Sequence, residues 1–258
     1  MPERLPGFSW TKRRLSGDRA VAWFRLCVAA WVAFAVHLVA GVAMATVLRH
    51  GLDANPDVVA RLRFLVDHRV LWVGAWLTWN AAALTILYFY AMLAGVHRLD
   101  GRSPVGVLQV AVMVTIAAVA ADLAAEAVEM GVLPELAKSA VQGVRTVSLS
   151  SWAIHVFLTL HRVAVMLTGY LANGLYTVAA LLLVVATRHA YPVWVWAAGL
   201  LVGVAGAALS AAALLNSVEG MVWTTIVLLP SLLTWQAGVA MTAATRSRGA
   251  LEGGDGSP

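Results

Sequence analysis

The chain has a single cysteine, only two lysines and few charges of either sign, and each shortage excludes something. With Cys27 alone, no internal disulfide and no cysteine-based metal site can form. Lys12 and Lys138 both fall outside the middle of any apolar block, which argues against a retinal Schiff base. No Gly-rich phosphate loop, His-x-x-x-His or His-Glu-x-x-His pattern is present. Charged residues make up 12% of the chain, against about 25% in an ordinary soluble domain. No polar stretch is long enough for a separate soluble domain.

What is present is apolar, at 61% of the residues, and it is segregated into long blocks with the charges between them. A hydrocarbon slab about 30 Å thick needs about 20 helical residues to cross it. Long uninterrupted runs favour helices over barrel strands, because each spanning backbone must satisfy its own hydrogen bonds. The fold class read from this pattern is all-α, a polytopic transmembrane helical bundle. Its six spans are Val21–Leu48, Val70–Val96, Pro104–Leu133, Ser151–Thr187, Val193–Leu215 and Gly220–Ala244. The chain then divides into a basic leader (1–20), a six-span domain (21–245) and a disordered tail (246–258). The first block is about twice the length of a signal-peptide core and is read as a retained helix.

Basic residues set the orientation. Arg4, Lys12, Arg13, Arg14, Arg19, Arg98, Arg102, Arg188, Arg246 and Arg248 collect on one side, and Arg49, Arg61, Arg63, Arg69, Lys138 and Arg145 on the other. The excess places both termini in the cytoplasm, in a cell (plasma or inner) membrane. The net charge of +5 is then explained by orientation and by anionic lipid, with no call on nucleic acid. Pro56–Arg69, where apolar residues alternate with charges, reads as a short amphipathic helix on the outer surface. Gly199, Gly203 and Gly206 form a small-residue seam in the fifth span, suited to close helix packing.

Ionisable residues inside a span are costly and therefore candidates for function. Asp122, Glu126 and Glu129 share one face of the third span. The fourth carries His155, His161, Arg162 and Asn173, the first His37, and the second Asn80 beneath a Trp72, Trp76, Trp79 stripe. The tryptophans read as packing or lipid contact. At 1.5 Å per residue, His37, Asn80, Asp122 and His161–Arg162 all fall about 15–17 Å below the outer surface, near the midplane. The expected site is therefore His37, Asn80, Asp122, Glu126, His161 and Arg162, with Glu129, His155 and Asn173 secondary. Asp122 or Glu126 paired with Arg162 is the most economical neutralisation. Glu129 reads as close enough to the outer interface to be solvated.

Two segments, His68–Trp72 continuing to Trp76-Leu77-Thr78-Trp79 and Leu167-Thr168-Gly169-Tyr170-Leu171-Ala172-Asn173-Gly174-Leu175-Tyr176, resemble the second and fourth spans of six-helix bacterial membrane proteins of domain-of-unknown-function families. The Asp122–Pro134 region, acids closed by a proline, is similar to the same group. The resemblance implies the architecture and no activity.

Three functions fit these residues. The first is a small-solute or proton-linked carrier or binding protein that uses the polar cluster, with a homo-oligomer completing any pathway. The second is an intramembrane enzyme with a metal at His37, Asp122, Glu126 and His161, or with haem between His37 and His161, acting on a lipid-like substrate. The third is a structural or accessory subunit in which the polar layer clamps helices. A Ser210, His161, Asp122 hydrolase is permitted by residue count alone. The sequence leaves any metal, haem or other cofactor unknown.

Overall fold

Helix ends in this chain are written in local chemistry. Pro104 and Pro192 precede helices α4 (Val105–Ala127) and α8 (Val193–Leu214), where a missing N–H costs nothing. Gly101, at φ +69°, closes α3 (Arg69–Asp100). Asn216, at φ +56°, closes α8. There the Asn216 N–H donates to Ala213 and the Ser217 N–H to Ala212, the paired bonds of a Schellman turn. Asp57 caps α2 (Val58–Asp67) by accepting from the Ala60 N–H at 3.0 Å.

The structure is a computed structural model that describes the backbone of residues 8–142 and 147–252. The remaining helices are α1 (Phe8–Thr46), α5 (Leu133–Gln142), α6 (Val147–Val165), α7 (Asn173–Thr187) and α9 (Val218–Glu252). Two π-helical segments, Val128–Val132 and Met166–Ala172, join α4 to α5 and α6 to α7 without a break. No strand occurs among the described residues.

Six helical stretches are long and apolar enough to cross a membrane: Asp18–His50, Arg69–Asp100, Val105–Gln142, Ser151–Ala190, Val193–Leu214 and Val218–Gly249. Each packs on its chain neighbours, and the first also packs on the last, so the spans close into an up-and-down ring. The outward faces are apolar, as at Met113, Val185 and Val204. This is the surface of an integral membrane protein in lipid.

The spans differ in length, and the difference locates the polar groups. Span five, at 22 residues, measures about 33 Å and just crosses a hydrocarbon core. Spans three and four, at 38 and 40 residues, measure about 57–60 Å. Their excess projects on the side of α2, opposite the terminal face where α1 begins and α9 ends. There Leu48, Leu62, Leu65, Trp72, Leu133 and Phe157 form a second core, separate from the one around Phe89, Leu93 and Leu183. Within Pro56–Arg69 the helix the sequence suggests runs Val58–Asp67, but it is packed onto this second core as a cap.

Helix α9 continues to Glu252, through the first half of the expected disordered tail. Docking explains the extension: Arg246 donates to the Ala190 carbonyl and Ser247 to that of Ala20. Residues 253–258 and the first seven of the leader lie outside the described residues.

Candidate functional site

Val58, Arg61, Leu62 and Leu65 recur at the spacing of one helical face, so α2 buries an arginine among its apolar residues. Arg61 is 3% exposed. A buried guanidinium must find partners. Its Nε donates to the Gly51 carbonyl at 3.1 Å and its Nη1 to Asp53 Oδ1 at 2.5 Å. Its Cζ stands 5.7 Å from the Phe157 ring centre, within cation–π range.

One turn along α6, His161 stacks on Phe157 with the rings 7° from parallel. The imidazole lies between two carboxylates. Nδ1 is 2.8 Å from Glu129 Oε1, and Nε2 is 3.3 Å from Asp53 Oδ2, near enough for ion pairing but off the line of a hydrogen bond. Burial pushes the Asp53 carboxyl up, but the facing His161 imidazole and the Arg61 guanidinium outweigh it and hold the group at about 2. Glu129 stands in the first π segment, and its carbonyl accepts from Trp72 Nε1 at 2.8 Å. A single π turn re-aims side chains within a helix, and such turns concentrate at functional sites.

From Glu129 the acids descend one face of α4 through Glu126 to Asp122, a rise of about 10 Å over the seven residues. Glu126 is 1% exposed, and its Oε2 has no hydrogen-bond partner among the described residues. Asp122 accepts from Thr168, which lies in the second π segment, and from the Tyr176 hydroxyl at 3.4 Å. Asp53, partly open to solvent, His161 and Glu129 are thus in contact, and Glu126 and Asp122 continue the line of titratable groups along α4 at helical spacing.

Several sequence expectations change. Arg162 pairs with neither Asp122 nor Glu126. Its Nη2 donates to the Ala213 and Leu214 carbonyls at 2.9 and 3.3 Å, completing the end of α8. Span five is the shortest of the six, and its last carbonyls lie well short of the α2 end of spans three and four. Arg162 and His161 therefore stand level with the last carbonyls of span five, toward the α2 end of the bundle. A depth counted from Ser151 does not allow for the extra length of spans three and four beyond span five. Glu129, expected to be solvated, is 2% exposed because the cap covers it.

Nor do spans one to four share a single polar layer. His37 Nδ1 donates to the Ala33 carbonyl at 2.7 Å and lies 3.4 Å from Gln236 Nε2 of span six. Asn80 donates to the Trp76 carbonyl at 3.4 Å and faces Met130 Sδ at 3.8 Å. Asn173 donates to the Gly206 carbonyl and to Ser210 Oγ. His155 is exposed. Ser210, His161 and Asp122 thus have separate partners and form no triad. Both His161 nitrogens face carboxylates, which leaves neither for an axial bond to haem iron.

Sequence reasoning missed Asp53 and Arg61. The available signal was the arginine on the apolar face of α2, which calls for a buried acid. Two surface depressions, lined by Val36, Val39 and Leu77 and by Val184, Arg188 and Trp196, do not touch the acid line. No family model, curated protein or solved structure matches this chain.

Proposed function

We propose that the chain is a proton-linked membrane protein of the cell (inner) membrane, with both termini cytoplasmic. Its acid–histidine line takes protons from the α2 face into the bundle, as a proton-linked carrier requires. The observation that carries this reading is the buried His161 held between Glu129 and Asp53, with unpartnered Glu126 next on the same helix face as Glu129. An imidazole between two carboxylates passes a proton by accepting at one nitrogen and releasing at the other. Buried acids on a transmembrane face are the usual parts of such relays. Asp53 is the entry group, since it alone of the five keeps a quarter of its side chain in solvent. The π segments aim Glu129 and Thr168 toward the line.

The test is proton entry into liposomes reconstituted with the full chain, followed by an internal pH dye after an imposed gradient, alone and with a panel of small solutes. The wild-type protein is expected to exceed empty liposomes, and Glu126→Gln and His161→Gln to reduce flux at least tenfold while remaining folded. Flux equal to empty liposomes under every gradient and solute, or unchanged flux in both variants, overturns the reading.

A further inference from the structure

At the terminal face, away from the acid line, the last turns of span two meet the end of span four. His97 and Asp100 come from α3, and His189 from the 3-10 turn Arg188–Ala190. One ligand atom from each lies within 4.8 Å of the other two. We propose that these three side chains form a binding site for a divalent transition-metal ion of the zinc class, which ties the ends of spans two and four together.

His97 supplies the second observation. Its side chain is fully buried, and Nδ1 has no hydrogen-bond partner among the described residues. Its Nε2 is 3.1 Å from the Tyr191 hydroxyl. With Nε2–H donating to the tyrosine oxygen, Nδ1 carries the lone pair that a metal requires. This is the outer partner that usually fixes a ligating histidine. Trp23 packs edge-on against His97 and holds the ring.

Two imidazoles and one carboxylate suit zinc, cobalt or nickel, and leave a fourth position for water. Tetrahedral coordination at about 2.0–2.1 Å places ligand atoms about 3.3 Å apart. His189 is exposed, and a small swing of its ring closes the difference. The Arg246 guanidinium lies over Trp23 and bonds the Ala190 carbonyl, so its charge opposes a cation nearby. The Asp100 carboxylate offsets that charge.

The test uses the full chain in detergent, stripped with chelator, then dialysed against Zn²⁺ and separately titrated with Co²⁺ while the visible spectrum is recorded. One Zn²⁺ per chain and a four-coordinate Co²⁺ spectrum are expected. His189→Ala and Asp100→Asn each weaken binding at least tenfold, and Tyr191→Phe weakens it about 10–100-fold. Gel filtration and circular dichroism establish that each variant is folded, and should one misfold the other decides. No retained Zn²⁺ in the wild type, or retention unchanged in the folded variants, overturns the proposal.

Discussion

Glu126 and Asp53 are both acids of the same line, and their surroundings assign them opposite effects on stability. Glu126 is buried with one oxygen unpartnered, a costly arrangement that a purely structural clamp would not keep. Glu126→Gln is therefore expected to leave thermal stability unchanged or raised while proton entry falls, read by melting in detergent beside liposome flux. Asp53 is held at about 2 against an ordinary 3.8. A depressed carboxyl contributes stability that is complete above its unfolded value and lost as pH falls through its folded value. The cap is thus expected to loosen as pH falls from 3.8 to about 2, and Asp53→Asn to flatten that dependence in melts taken across the interval. Arg61→Met destabilises at neutral pH by less than the about 3–5 kcal/mol of a fully buried pair, because Asp53 retains 26% of its side chain in solvent.

At the scale of the helix, span five was legible in the sequence and the depth of span four was not. The span read as Val193–Leu215 differs from α8, Val193–Leu214, by one residue, because the proline before it and the turn after it act locally. The Gly199, Gly203, Gly206 seam was legible too. A Cβ at these positions would stand 2.4, 2.2 and 2.1 Å from Val184, Leu181 and Thr177 of α7, so the helices touch there. Depth in span four depends on how far it overshoots its neighbours, a tertiary quantity that hydropathy does not carry. The partner of Arg162 was misassigned for this reason, since charge complementarity favours Asp122 while the α8 carbonyls lie at the right height. A double-mutant cycle on Arg162→Leu and Asp122→Asn separates the two assignments. The expected coupling is near zero, with Arg162→Leu alone losing about 1.5–3 kcal/mol from its bonds to the end of α8.

Across the whole molecule, polar chemistry is unevenly shared around a ring of like helices. The acid line runs along the meeting of spans three and four, under the α2 cap. The metal-ligand set occupies the opposite face, and His37 meets Gln236 between spans one and six. Proton entry through Asp53 makes sense only if the cap faces the outside, which the surplus of arginine on the terminal face supports. This orientation is open to a direct test, because Cys27 is the only native cysteine. In a Cys27→Ser background, Asn55→Cys in the cap loop is expected to react with a membrane-impermeant thiol reagent in intact cells. Gly249→Cys, at the exposed end of α9, is expected to react only after the cells are opened. The reverse pattern would put Asp53 on the cytoplasmic side and turn the line from a route of proton entry into one of release, with the same residues and the opposite coupling.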